Sequence, residues 1–166
     1  AFDLLVHRWH GPLSAYVRRM IASDRVADDV VQDSWLRIIR GIPRLRDPTR
    51  LRAWLFGIAR RAVMDSLRAK YDAPVSVLVD EIADMAVVQD ASDVDVEAEL
   101  NAMSDALALL PPIERDVLSL FYLQELTIDE MAEVLAIPIG TVKSRLFRAR
   151  NLLRTRMKGA EHDQRR

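Results

Sequence analysis

Residues 127–150 constrain the fold more than any other part of the chain. Thr127 and Glu130 have the Thr-x-x-Glu spacing of a capping box, in which each side chain satisfies the other's backbone N–H. Ile128, Met131, Ala132 and Leu135 follow as a short apolar stripe, and Ala136-Ile137-Pro138 makes a tight connection. Pro138 and Gly140 then stand where a turn feeds a second helix. Val142, Leu146 and Ala149 repeat along that helix at helical spacing, which leaves Lys143, Ser144, Arg145, Phe147 and Arg148 off its apolar face. Residues 139–158 hold seven Lys/Arg and no Asp or Glu. A capped helix, a three-residue turn and a basic second helix form the helix-turn-helix pattern, whose second helix enters the DNA major groove. The chemistry suits the task. Arg and Lys donate to guanine or phosphate, Ser serves either target, and an aromatic edge meets a thymine methyl.

Charge divides the rest of the chain. The net charge is only −1, yet residues 1–72 carry 14 Lys/Arg against 8 Asp/Glu, residues 73–105 carry 9 Asp/Glu and no Lys/Arg, and residues 106–166 carry 10 against 8. Two basic-leaning blocks joined by an acidic one predict two domains and a linker. Gly is scarce (5 residues) and aromatics are few (4 Phe, 3 Tyr, 3 Trp), which favours an all-α fold. The expected division is a first domain over 1–72, an acidic linker over 73–98, a helix-turn-helix domain over 99–158 and a disordered tail over 159–166. The absence of cysteine removes disulfides and thiolate zinc sites and fits a cytoplasmic protein.

In the first block, Phe2, Leu5, Val6 and Trp9 mark one helical stripe, and Leu13, Tyr16, Val17, Met20 and Ile21 a second, with Gly11-Pro12 expected to separate them. His7 and His10 have a His-x-x-His spacing but lack further ligands, so no metal site is expected. Ser23 or Asp24 caps the next helix, which ends at Gly41. Val30, Val31, Ser34, Trp35, Ile38 and Ile39 form its apolar side; Asp28, Asp29, Gln32, Asp33 and Arg37 form a polar, mostly acidic side that reads as ordinary surface. A longer helical pattern starts at Thr49, with Leu51, Trp54, Leu55, Ile58 and Ala62 on its stripe. Arg52, Phe56, Arg60, Arg61, Asp65, Arg68 and Lys70 lie largely off it. Arginines interleaved with exposed aromatics suit single-stranded DNA, where phosphates meet guanidinium groups and unstacked bases meet rings.

Four stretches, in this order, resemble the extracytoplasmic-function (ECF) sigma factors of bacterial RNA polymerase. They are residues 27–37 (Ala27 to Arg37, with Asp28-Asp29 and Gln32-Asp33), 52–60 (Arg52-Ala53-Trp54-Leu55-Phe56-Gly57-Ile58-Ala59-Arg60), 110–115 (Leu110-Pro111-Pro112-Ile113-Glu114-Arg115) and 137–150. The resemblance implies sigma region 2 and region 4 joined by a linker that threads toward the polymerase cleft. It implies that Asp28, Asp29, Gln32, Asp33 and Arg37 dock on the β′ clamp of core RNA polymerase. It implies that Arg52, Phe56, Arg60, Arg61, Asp65 and Arg68 serve the −10 element. Lys143, Ser144, Arg145, Phe147 and Arg148 would read the −35 element, with region 4 also touching the β flap. An anti-sigma factor, often membrane-anchored, would hold the protein inactive. One departure stands out: family members often carry Asn where Arg61 stands, within the segment that pockets a flipped promoter base.

Two other classes share parts of the pattern. A LuxR-type regulator has a similar Thr-Val-Lys start to its recognition helix, but its N-terminal half should contain strands. A helical adaptor without a DNA role should bind nucleic acid without steep salt dependence. Neither a Gly-rich phosphate loop nor a nucleophile–base pair is present, so the expectation is a binding protein and not an enzyme, with no cofactor and no small-molecule substrate.

Overall fold

A computed structural model describes residues 1–71 and 104–164. Among these residues every element is helical and none is a strand. α1 spans Phe2–Met20, α2 Asp24–Gly41 and α3 Leu51–Tyr71, with two 3₁₀ turns at Ile42–Arg44 and Pro48–Arg50 between the last two. α4 is a single turn at Ser104–Ala108. α5 spans Pro112–Leu118 and widens into a π-type turn over Ser119–Leu123. α6 spans Ile128–Leu135 and α7 Ile139–Gln164. The proposed linker, 73–98, lies outside the described residues.

Local chemistry sets most of these limits. The Ser23 hydroxyl accepts a bond from the Val26 N–H and starts α2. The Asp47 carboxylate accepts from both the N–H and the hydroxyl of Thr49, at 2.9 and 2.6 Å, and holds the turn that launches α3. Pro112 occupies the first position of α5, where its missing N–H costs nothing. The capping box forms in full: Thr127 Oγ1 accepts from the Glu130 N–H and Glu130 Oε1 from the Thr127 N–H, both at 3.1 Å. α6 ends at Ala136, whose left-handed φ of 55° makes the turn.

Two expectations are corrected. Gly11-Pro12 does not separate two helices; Pro12 lies inside an unbroken α1. Leu5, Trp9, Leu13, Tyr16, Val17 and Met20 share one face of that continuous helix. Burying the whole face outweighs the cost of an interior proline, about 3 kcal/mol. At the other end, α7 continues through Gly159 to Gln164, so the expected disordered tail is helical almost to the terminus. No side chain crowds Gly159, and the polar residues beyond it carry no helix breaker.

α3 is the centre of the packing. α1 and α2 cover it on one side and α6 approaches from the other. Buried residues from both halves, from Leu13 to Leu153, join in one contiguous core. Gly41 has a specific packing reason: a Cβ there would come within 2.9 Å of the Trp54 ring, so only glycine lets that indole lie against the end of α2.

Candidate polymerase and promoter interfaces

The α2 surface comes directly from its amphipathic pattern. Ala27, Val30, Val31, Ser34 and Ile38 face inward, and Asp28, Asp29 and Gln32 are left exposed. Asp33 and Arg37 are half-buried. Arg37 bridges Asp33 at 2.9 Å and Asp65 of α3 at 2.8 Å, which fixes its guanidinium across the two helices. Burial disfavours the Arg37 charge, but the two carboxylates outweigh it and push its pKa up. Leu36 and Ile39 also stand exposed on this helix, at 46% and 48%. Ile39 was expected on the apolar side; here it adds to a mixed acidic and apolar strip of the kind that suits a protein partner.

The candidates on α3 separate into three groups. Phe56 is a correction: it is 0% exposed and packs edge-to-face against Trp9 and Tyr16, with ring centroids 6.3 and 5.8 Å away. The one-stripe reading failed because α3 is covered on two sides, so a position off one stripe lies on another. Phe56 therefore cannot offer its ring to a base. Arg61, Asp65 and Arg68 are exposed. Arg61 lines a surface cavity with Arg37, Gly41, Arg44, Trp54 and Ile58. Its Nε donates to the Gly57 carbonyl, so the side chain is steered along the helix toward that cavity. Arg44, in the turn after α2, lines the same cavity.

Arg52 and Arg60 form the third group. Both are partly buried and both reach the C-terminal half. Arg52 makes a bidentate pair with Glu130, at 3.0 and 3.1 Å. That contact and the cap bonds from Thr127 override the burial penalty and hold the Glu130 carboxyl below its usual range. Arg60 Nε donates to Asp116 Oδ2 at 2.9 Å, and Tyr16 donates its hydroxyl to Asp116 Oδ1 at 2.7 Å. Burial, and then the Asp116 charge, raise the Tyr16 hydroxyl well above its ordinary pKa, so it remains a donor.

On α7, Lys143 is exposed, while Ser144 and Phe147 are half-buried. The Ser144 hydroxyl donates to the Gly140 carbonyl at 3.0 Å, as helical Ser often does. Arg148 is exposed, with its side chain 60% accessible and 3.6 Å from Glu114. Arg145 differs from its neighbours. It is 7% exposed, and its Nε finds no hydrogen-bond partner. Burial and the nearby Arg60 charge both disfavour its ionised form, while Asp116 and Glu114 offset part of that.

Sequence reasoning missed the groups that join the halves. Glu114 and Asp116 are 6% and 3% exposed, and they are the acids among the buried polar residues. Arg115 reaches the carbonyls of Leu107, Ala108 and Leu110 and also that of Arg19 on α1. The one available signal was a charged triplet, Glu114-Arg115-Asp116, inside an otherwise apolar helix. Among the described residues no cluster of three or more His, Asp or Glu could hold a metal, and no helix is long and apolar enough to cross a membrane. His10 instead accepts the Trp35 indole N–H at 3.1 Å.

Comparison with known proteins adds an independent line. The family described as Sigma-70 region 2 matches residues 5–71, and that described as Sigma-70, region 4 matches residues 100–153. The chain is 30% identical over 162 residues to the ECF RNA polymerase sigma-E factor of Salmonella typhimurium, covering 92% of this chain and 84% of that protein. It is 29% identical over 168 residues to the ECF RNA polymerase sigma factor SigW of Bacillus subtilis, covering 95% and 89%. Its fold matches the sigma factor RpoE of Bartonella quintana, solved in complex with the anti-sigma factor NepR, with a TM-score of 0.70, 22% identity and 95% and 96% coverage.

Proposed function

The chain belongs to the ECF sigma factors of RNA polymerase, and from that premise we propose that it docks on core polymerase through α2 and reads promoters with α3 and α7. The observation that carries this is the alignment of both halves, in order, with sigma factors along 92% of the chain. The polymerase performs the chemistry; this chain supplies binding and selection, and no catalytic role is assigned to it.

Three surfaces divide the work. Asp28, Asp29, Gln32 and Asp33, with Leu36 and Ile39 beside them, offer the β′ clamp acidic and apolar contacts together. Arg61 and Arg44, around the Trp54 cavity, receive the unpaired −10 strand, while Arg68 meets phosphate and Arg52 and Arg60 join once their carboxylates release them. Lys143, Ser144, Phe147 and Arg148 face the −35 major groove, and Arg145 reaches it when uncovered. Region 4 also touches the β flap. The relative from Bartonella is bound by an anti-sigma factor, and the same kind of protein, membrane-anchored in many systems, would restrain this one in the cytoplasm. The assignment of region 2 to residues 1–72 and region 4 to 99–158 follows the same reading.

Pull-down of the full chain with purified core polymerase, followed by run-off transcription from a mixed promoter library, tests the proposal. Stoichiometric binding with new discrete start sites is expected. DNA binding without polymerase association would instead fit an independent helix-turn-helix regulator, and neither result would fit an adaptor.

A further inference from the structure

α5 buries a carboxylate against α7. Glu114 lies in the first turn of α5 and is only 6% exposed. A charge held away from water is costly unless it is paired. Among the described residues its ion-pair partner is Arg148, whose Nε lies 3.6 Å from Glu114 Oε1. The two ends of this pair differ in surroundings: the Arg148 side chain is 60% accessible and that of Glu114 7%. The acid is fixed by the packing of α5 on α7, and the arginine reaches from it into solvent.

The nitrogen that faces the acid decides what the arginine can present. A guanidinium offers paired donors in two ways, Nε with one Nη from the side or both Nη from the end. A carboxylate beside Nε draws the side edge toward the protein and leaves the end-on pair facing outward. That pair matches the O6 and N7 acceptors that guanine shows in the major groove. At 3.6 Å the contact is electrostatic and too long for a hydrogen bond. It biases the side chain without locking it, and so reduces the rotamer freedom that Arg148 gives up on binding. Glu114 acts in a second way. Its negative charge, also felt by Arg145 one turn before Arg148, weakens the attraction of this helix for phosphates of any sequence.

We infer that Glu114 is a positioning residue for promoter selection: it aims Arg148 end-on at a guanine of the −35 element and reduces indiscriminate phosphate binding by the same arginine. This rests on the reading of Arg148 as a −35 contact. A purely structural acid would behave differently. Glu114 also stands near the positive end of the α5 dipole, but losing that role alone lowers stability and weakens binding to all DNA alike. Losing the positioning role separates the two kinds of binding. Preference for one base falls, while affinity for arbitrary duplex does not.

The test uses the full chain assembled with core polymerase. Run-off transcription from promoter fragments randomised across the −35 element gives base preference position by position for wild type, Arg148→Ala, Glu114→Gln and the double variant. Fluorescence anisotropy of the full chain with a scrambled duplex reads non-specific affinity, and circular dichroism verifies helix content and Tm. Wild type should favour guanine at one position, and Arg148→Ala should abolish that preference. Glu114→Gln should reduce it by about three- to tenfold, leave the other positions unchanged, and bind scrambled duplex at least as tightly as wild type. The double variant should match Arg148→Ala, as two residues acting through one contact require. Glu114→Leu removes the charge without leaving a polar group to bury and should repeat the pattern of Glu114→Gln. Unchanged guanine preference in both Glu114 variants would overturn the positioning role. So would a uniform loss at every position together with weaker binding of scrambled duplex. If Arg148→Ala itself keeps the wild-type preferences throughout, the −35 reading of Arg148 fails, and the inference with it.

Discussion

Replacing Phe56 with alanine distinguishes a core residue from a DNA contact. The ring is 0% exposed and makes edge-to-face contacts with Trp9 and Tyr16. Removing a fully buried aromatic forfeits about 1.5–3 kcal/mol of transfer free energy. The two ring pairs add roughly 0.5–1.5 kcal/mol each. Part of this overlaps, and the measured range for buried Phe→Ala is about 3–5 kcal/mol. A chain of 166 residues has an unfolding entropy of about 0.35 kcal/mol/K near its midpoint, so a loss of about 4 kcal/mol lowers Tm by about 11 °C. Thermal and urea unfolding followed by circular dichroism would measure it, with Phe56→Leu as a milder companion. If Tm moved by less than about 2 °C while single-stranded DNA binding collapsed, Phe56 would be a ligand-facing residue and the packing argument would fail.

Ala136→Gly should raise Tm by a few degrees, because the left-handed cap at φ 55° costs an L-residue about 1 kcal/mol that glycine does not incur; a lower Tm in a melting scan would count against this. Arg148→Ala should abolish promoter-specific run-off transcripts while leaving helix content and polymerase binding intact, and an unchanged transcript level would remove it from the −35 surface. Asp33→Ala should weaken core polymerase binding severalfold in a titration at little cost to stability, since its pair with the half-exposed Arg37 is worth under about 1 kcal/mol; full retention of affinity would take Asp33 out of the docking surface. Glu130 is held below the usual carboxylate range, chiefly by Arg52 against the opposing effect of burial. Its contribution to stability is complete above the unfolded value of about 4.3 and is lost as pH falls through the lower folded value. Acid unfolding of Glu130→Gln should accordingly show a shallower limb than wild type, and parallel limbs would contradict the Arg52–Glu130 contact.

What the sequence determined by itself is local. Thr127 and Glu130 are three positions apart, so their capping box forms whatever surrounds them. Ser23, Pro112 and the acidic positions of α2 are equally local, and each was legible because backbone geometry and helical period are short-range properties. The exposure of Lys143 and Arg148 on α7 was legible for the same reason. The tertiary structure decided everything that depends on what lies across a second face. It turned Phe56 inward because α3 is covered from two sides, where a single amphipathic stripe assumes one. It carried α1 through Pro12 because the buried face is continuous. It placed Arg60 of α3 beside Asp116, 56 residues away, and near Arg145 of α7. No spacing rule reaches that far: an arginine's period shows which side of its helix it occupies, and only the packing shows whether that side meets water, DNA or a carboxylate.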